Sequence, residues 1–342
     1  MKTNTFKLAL IIFVSLFILI FGFGYYLLNS SWFWEKLAVS LIKQGGKEVQ
    51  SAQLSIQKTN FNLPTKLILE DVKLKIKIQE VSYTIDLSGL TIDANSFIVG
   101  RDKKIDLNLS GLRIESSVAN LKDANMVLAV SFEKNLLKSL KGTLKIASAD
   151  SNKYVLTNIS ADITGDQKNI VLDNFLASSY NGEVKGKITL AYQPAVTYDI
   201  ALAIKDVDLT AMRAANMEVF SQVRGKLQGD VELKGEPAKI HSIIMNLEIP
   251  QEGQVKARLL KPFFDYIPQS TQKKDLELLM KVDGLVALDK AVLALKSSSE
   301  EKLSTTIGLE SKRFNLDTHL TVDFNIEGGL QNLFVFLQKF LQ

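Results

Sequence analysis

Side chains that could carry catalytic chemistry are few in this sequence, and they lie far apart. The two histidines, His241 and His319, each fall in a strand-like stretch, so each is better explained as a surface or turn residue than as a catalyst. Cysteine is absent, which excludes a thiolate nucleophile and a cysteine-based metal site. A hydrolase or transferase needs a base, a nucleophile or a metal cluster held together. We therefore predict no enzyme, no cofactor and no metal.

The remaining charged residues fit solvated surfaces. Glycine–lysine pairs occur three times, but none has the glycine spacing of a phosphate-binding loop. Acidic residues such as Asp86, Asp93 and Glu115 alternate with apolar residues, which places them on the polar side of strands. The chain has 41 Lys and Arg against 37 Asp and Glu. This balance gives no indication of a nucleic-acid partner.

The apolar run from Leu8 to Leu28 determines where everything after it is placed. It contains no charged residue, and about 20 apolar residues in a helix cross a ~30 Å hydrocarbon core. A cleaved signal peptide would have a shorter apolar core and a small-residue cleavage site, whereas large aromatic residues follow here. Lys2 and Lys7 favour a cytoplasmic N-terminus. We predict a cytoplasmic segment at 1–7, a transmembrane helix at 8–28, and membrane-interface residues Tyr25, Tyr26, Trp32 and Trp34.

Two further segments are predicted to be amphipathic helices. In residues 29–50, Phe33, Leu37, Leu41 and Ile42 share one helical face; this helix either lies on the outer leaflet or caps the first strands. Residues 327–342 either insert into a lipid surface or a partner, or close the open end of a sheet. Shorter helical pieces are expected at 136–140, 210–223 and 257–266.

Between these helices the hydrophobic period is two, which predicts strands over residues 51–326. Val72, Leu74 and Ile76 alternate with lysines, and a turn or bulge follows at Gln79–Glu80. The segment Leu87-Ser88-Gly89-Leu90 is echoed by Leu109-Ser110-Gly111-Leu112 and more faintly by Val282-Asp283-Gly284-Leu285. Such spacing fits one pair of strands per repeat.

Alternating strands must bury one face, and too little helical sequence is present to cover so much sheet. The sheet therefore folds onto itself as a sandwich or barrel, or curls into a trough that takes acyl chains. We predict a mainly β fold: an N-terminal transmembrane helix followed by an elongated, curled antiparallel β-sheet, a groove, with a few short amphipathic helices.

The chain also resembles a known family. The first part of the chain is similar to the start of the AsmA-like proteins of diderm bacteria, in the anchor, Ser51–Ile56 and Leu69–Leu74. Residues 156–326 resemble the C-terminal region of that family, most visibly in Ala177–Gly186, Ile204–Leu209 and Gly225–Gly229 with Gly235. The resemblance implies an inner-membrane anchored periplasmic β-groove related to bridge-like lipid transfer proteins. It implies no catalytic residues, and members of the family are often twice this length.

Two functions follow as hypotheses. The first is a single-pass inner-membrane protein, with the bulk of the chain periplasmic, that binds or transfers phospholipid or another lipid and contributes to outer-membrane lipid homeostasis or assembly. The second is a non-enzymatic envelope scaffold that binds a protein partner through an edge strand or the terminal helix. The candidate residues that line a lipid groove are Leu74, Ile76, Tyr83, Ile85, Leu107, Ile188, Ile200, Leu202, Val322 and Phe324.

Overall fold

The computed structural model describes residues 29–45, 49–62, 65–78, 80–94, 103–134, 136–151, 154–192, 195–213, 222–236, 239–258, 260–261, 271–314, 316–326 and 328–330. The predicted transmembrane helix at 8–28, with Tyr25 and Tyr26, lies outside these residues. So does nearly all of the predicted C-terminal helix. The described part is mainly β with a few short helices, as predicted.

The elements follow in chain order. Helix α1 spans Ser31–Gly45, and the strands that follow it are β1 Val49–Asn62, β2 Lys66–Ile78, β3 Val81–Ala94, β4 Lys103–Ser116, β5 Asn120–Glu133 and β6 Leu136–Ser151. Next come β7 Tyr154–Gly165, β8 Asn169–Ser179, β9 Gly182–Ala191, β10 Thr197–Asp208, α2 Leu209–Arg213, β11 Val223–Arg224, β12 Lys226–Glu236, β13 Lys239–Ile249 and β14 Gly253–Lys256. The last are α3 Thr271–Lys281, β15 Leu285–Leu288, β16 Lys290–Ser299, β17 Lys302–Ser311, a 3₁₀ turn Lys312–Phe314 and β18 Leu316–Asn325.

Within the described residues, fifteen strands form one antiparallel sheet, and their order follows the sequence. Strands β1 to β10 are neighbours in turn, followed by β12, β13, β16, β17 and β18. Strands β11, β14 and β15 form a separate three-stranded sheet. The chain divides into two compact units, the first ending at Gly142 and the second beginning at Thr143.

In the first unit, helix α1 covers the edge of the sheet. The side chain of Asn29 binds the backbone of Phe61 on β1 twice, accepting from its N–H at 2.7 Å and donating to its carbonyl at 3.5 Å. Glu35 accepts a hydrogen bond of 2.8 Å from the N–H of Ile56. These groups on an outermost strand would otherwise be open to pairing with another chain. The expectation that this helix caps the first strands is therefore confirmed.

The two clear copies of the Leu-Ser-Gly-Leu repeat pair with each other across β3 and β4. Gly89 lies opposite Ser110, and the flanking leucines are opposed in the same register. The backbone of Gly111 has a positive φ of 64°, and its N–H donates to the side chain of Asn125 at 3.1 Å. The repeat is thus a paired kink in two adjacent strands. The third copy instead forms the turn between α3 and β15.

The kink shifts the alternation by one residue. On β3, Ile85 and Leu87 come before the kink, and Leu90 and Ile92 come after it. Leu90 and Ile92 pack on the same cluster as Val72, and Val72 lies opposite Leu87. The apolar residues on both sides of the kink therefore lie on one face of the sheet. Kinks of this kind recur inside other strands. The non-glycine strand residues with positive φ include Asp71, Asp123, Asn158, Asn174 and Asp206. A left-handed residue inside a strand produces a bulge that changes which residues face the core.

The second unit has two buried clusters. In one, the small sheet and α3 cover part of β17 and β18 through Val286, Leu276, Leu309 and Leu316. In the other, the residues are Ile243, Leu295, Leu303, Ile326 and Leu330. Helix α3 was not foreseen, since residues from Met280 onward were expected to be strand. The helical turn expected at 136–140 is also wrong, because β6 begins at Leu136.

Candidate functional site

The first unit carries an apolar face that runs across its strands. Leu74 on β2 lies opposite Leu54 on β1 and Ile85 on β3, and Ile85 lies opposite Ile114 on β4. Residues directly opposed in an antiparallel sheet share a face and contact one another. All four are only half-buried. The row is therefore a ladder of apolar side chains that keeps part of its surface open.

The other candidates in this unit extend the same face. Ile76 lies opposite Tyr83 in the row next to Leu74. On the far side of the kink, Leu107 lies opposite Ile92 and Leu128. Because the kink keeps both sets of residues on one face, all five candidates of the first unit share it. Sequence alternation alone could not establish this, since it places Ile85 and Ile92 on opposite faces.

The second unit repeats the arrangement on β9, β10 and β12. Ile200 lies between Ile188 and Leu233, and all three are half-buried. Leu202 lies between Gly186 and Val231. A Cβ at Gly186 would come within 2.9 Å of Leu202 Cδ2, so the leucine side chain covers the glycine. These candidates form a second half-open apolar row.

Val322 and Phe324 on β18 differ from the other candidates because their neighbours are fully packed. Phe324 lies opposite Leu303, which is 1% exposed, and Val322 lies opposite the buried Thr305. The hydroxyl of Thr305 has no hydrogen-bond partner in the described structure. Leu303 belongs to the cluster that contains Leu330. This part of the face is covered by the protein itself.

The opposite face of the sheet is charged and solvated. Its side chains form exposed cross-strand ion pairs, among them Lys58 with Glu70 at 2.8 Å, Arg113 with Asp123 at 2.9 Å and Lys234 with Asp199 at 2.9 Å. The hydrogen bond that Lys234 donates to Asp199 raises the pKa of Lys234. Exposed pairs of this kind contribute little to stability, because water screens them. Their main effect is to keep this face in water, which distinguishes it from the apolar face.

His241 is an ionic link between strands and turns. Its Nδ1 lies 2.6 Å from Glu300 Oε1, and its Nε2 lies 3.3 Å from Glu236 Oε1. The hydrogen bond to Glu300 is the main cause that raises the pKa of His241. The backbone carbonyl of Glu300 also accepts from the N–H of Leu330 at 2.9 Å. Glu300 thus joins the β12–β13 hairpin to the buried Leu330.

The other histidine is exposed: His319 Nε2 lies 3.9 Å from Asp317 Oδ1. In the described part of the chain, no group of three or more His, Cys, Asp or Glu side chains is placed to hold a metal ion.

Among the same residues, no helix is long and apolar enough to cross a membrane. The run from Leu8 to Leu28 is not among them.

The two tryptophans have different surroundings on α1. Trp34 packs against the cluster formed by Ile56, Phe61 and its neighbours on β1 and β2, and its ring meets that of Phe33 edge to face, with centroids 5.4 Å apart. Trp32 is 60% exposed. A place at a membrane interface remains a prediction for both, and only Trp32 is largely open to a second partner.

No family model, curated protein or solved structure matches this chain. The resemblance to AsmA-like proteins in Ser51–Leu74 and Ala177–Gly235 therefore remains a prediction. The structural observations available for function are the half-open apolar rows, the charged opposite face and the capped β1 edge.

Proposed function

We propose that the chain is an inner-membrane anchored, periplasmic protein that binds lipids on the apolar faces of its sheet and contributes to outer-membrane lipid homeostasis or assembly. The observation that carries the proposal is the set of half-buried apolar rows, such as Leu54, Leu74, Ile85 and Ile114, on a sheet whose other face is charged. Contiguous exposed apolar surface of this kind is rare in proteins that act alone in water, and it marks ligand-binding grooves or interaction sites.

An acyl chain suits such a surface in chemistry and in size. Burial contributes about 25 cal/mol per Å², or roughly 0.8 kcal/mol per methylene. A chain of about 16 carbons with half its surface covered would therefore gain on the order of 6 kcal/mol. Apart from the Tyr83 hydroxyl, the residues named in these rows carry no polar side-chain group to fix a head group, so the head group stays in water beside the sheet. This binding mode selects for acyl chains and is permissive about head groups.

The membrane anchor is proposed from the uncharged run Leu8–Leu28 and from Lys2 and Lys7 before it. An anchored sheet would take its lipid directly from the bilayer, so no soluble carrier is needed. Transfer toward the outer membrane is part of the proposal through the family resemblance. The described residues support the lipid-binding step most directly.

Lipid analysis of the purified full-length chain tests the proposal. We expect phospholipid to copurify at close to one or more molecules per chain, and Leu202→Asp to remove most of the lipid bound to the second unit. Ala203→Asp is the matched control, since Ala203 is the next residue on β10 and is exposed on the opposite face. Circular dichroism of both variants establishes that they are folded. Equal lipid content in the two folded variants, or a lipid-free wild-type chain, would contradict lipid binding at this face.

A second candidate function is an envelope scaffold that binds a protein partner, and the order of the strands favours it. Strand β18 is the last strand of the large sheet, and among the described residues no strand pairs with its outer side. An open edge of this length can accept a strand from a partner. Crosslinking from an exposed β18 position such as Asp317 to one protein partner, in a chain that carries no lipid, would favour the scaffold.

A further inference from the structure

Helix α1 has one side that is tied to the sheet and one side that is not. The tied side carries Asn29, just before the helix, with Glu35, which hold the backbone of β1. Ser31 adds a contact of 3.2 Å between its hydroxyl and that of Thr59. Together these contacts lay the helix along the outermost strand and fix its rotation about its own axis.

The untied side carries a different set of residues. Trp32 is 60% exposed and Leu37 is 40% exposed, and Lys36 is also exposed. Sequence periodicity placed Leu37 on the apolar face of this helix together with Phe33. The structure packs the helix through Trp34, whose ring also meets that of Phe33, and it leaves Leu37 exposed. An exposed tryptophan and leucine beside a lysine are typical of a helix that lies in a lipid interface.

The charges on α1 are sorted in the same way. Glu35 is the only acidic residue of the helix, and its carboxylate is turned toward the N–H of Ile56. Lys36, the next residue, is exposed on the other side. The untied side is therefore apolar and cationic with no carboxylate. A lysine in this position can extend its ammonium group toward lipid phosphates while its methylenes lie along apolar surface.

We propose that the surface formed by Trp32, Lys36 and Leu37 binds the surface of the lipid bilayer, so that α1 lies between the membrane and the β1 edge of the first unit. The occupant follows from chain order: only Asn29 and Ser30 separate the helix from the predicted transmembrane run that ends at Leu28. With so short a connection, the untied side is held at the level of the head groups. The inference rests on the membrane anchoring in the proposed function and adds the residues that contact the bilayer.

Tryptophan fluorescence tests this directly, because Trp32 and Trp34 are the only two tryptophans of the chain. The full-length Trp34→Phe variant keeps Trp32 as its sole tryptophan. It is placed in nanodiscs of phosphatidylcholine and phosphatidylglycerol, with or without bromine atoms on the acyl chains close to the head group. We expect the brominated lipid to remove at least half of the Trp32 emission, and acrylamide in the water to quench it weakly. If Trp34→Phe is misfolded, the difference between wild type and Trp32→Phe gives the same signal.

A second substitution separates binding by the helix surface from mere closeness to the anchor. Adding Leu37→Glu to the Trp34→Phe chain places a carboxylate on the surface, so quenching by brominated lipid should fall by at least twofold. The matched control is Val127→Glu, which changes a side chain on β5 that is 54% exposed on the polar face of the same unit. The control should leave quenching unchanged.

Two results would overturn the inference. One is Trp32 emission that acrylamide quenches and brominated lipid does not. The other is bromine quenching that Leu37→Glu and Val127→Glu change equally. Lipid copurification is a separate measurement on the same chains, so a failure of lipid binding at Leu202 and a failure of bilayer contact at Trp32 are distinguishable. A chain released from membranes by salt alone would contradict the anchoring that both share.

Discussion

The paired kink in β3 and β4 allows a sharp test of how the apolar face is built. Gly111 has a positive φ of 64°, and a Cβ placed on it would lie 2.4 Å from the Oγ and 2.9 Å from the Cβ of Ser88. Gly89 occupies the equivalent position in the other copy of the repeat. Its added Cβ would meet only the Oγ of Ser110, at 2.9 Å, with no positive φ to maintain. The two glycines look identical in the sequence and differ in the structure.

The expected magnitudes follow from these distances. Alanine in the left-handed region costs about 1–2 kcal/mol, and moving the Ser88 Cβ costs a further ~1–3 kcal/mol. We therefore expect Gly111→Ala to lower the free energy of unfolding by about 2–5 kcal/mol. Gly89→Ala should lower it by less than about 1 kcal/mol, because the Ser110 hydroxyl can rotate away.

Urea denaturation of wild type, Gly111→Ala, Ser88→Gly and the double variant forms a double-mutant cycle. The cycle separates the cost of the left-handed backbone from the cost of the contact with Ser88. Ser88→Gly removes the atoms that the new methyl group meets, so Gly111→Ala should cost only about 1–2 kcal/mol in that background. The coupling between the two sites is then about 1–3 kcal/mol. If Gly89→Ala and Gly111→Ala destabilise the protein equally, or if Ser88→Gly gives no coupling, the assignment of the kink to Gly111 is wrong.

Two further predictions concern contacts that join elements. Glu35→Ala should lower the free energy of unfolding by about 1–2 kcal/mol and speed hydrogen exchange at the Ile56 amide. Glu35→Gln keeps a hydrogen-bond acceptor, so both effects should be smaller. Equal exchange rates at the Ile56 amide in wild type and Glu35→Ala would contradict the role of Glu35 in capping the β1 edge. His241→Gln should be less stable than wild type at pH values below the folded-state pKa of His241, and the difference should disappear above that pKa. Because Glu300 and Glu236 raise the pKa of His241 above 6.5, its contribution is complete below about pH 6.5 and is lost as the pH rises through the folded-state pKa. Glu300 has a lowered pKa, so the link is also lost on stronger acidification. Melting curves from pH 4 to 9 should show the largest difference near pH 6, and a difference independent of pH would contradict the ionic link.

Period-two alternation was enough to predict most of the sheet. Val72, Leu74 and Ile76 alternate with lysines, and β2 and β3 are joined at the predicted turn. The reason is that each strand has one apolar and one charged face, so apolar and polar residues alternate within the sequence of the strand itself. The helix α1 was predicted for the same reason, from apolar residues at helical spacing.

The positions of kinks and the covering layer could not be predicted in this way. A single left-handed residue such as Asp71 changes the face of every residue beyond it. Asp and Asn adopt this conformation more readily than other non-glycine residues, but the residue type alone does not identify which Asp or Asn of the chain does so. The break in alternation between Leu69 and Val72 is the signal that was available. For α3, the signal was Leu276, Leu279 and Met280 at helical spacing.

The site was predictable as a set of residues and not as a surface. The sequence placed Ile85 and Leu107 on strands, but only the register shows that they share a face. Val322 and Phe324 fit the same alternation, yet their neighbours are buried by protein. Whether an apolar strand residue is open or covered depends on which distant segments pack on it. A local pattern contains no information about that.

The order of the strands also bears on how this chain can be assembled as it is synthesised. From β1 to β10, every strand pairs with the one made just before it, so each can join the sheet soon after it emerges, without waiting for a distant partner. The same order leaves a fresh unpaired edge on the growing sheet at each step, and such edges are the sites where partly folded chains aggregate. The edge at β1 is protected from the start, because α1 is made first. Newly made chains should therefore be vulnerable on one side only, the side that is still being extended.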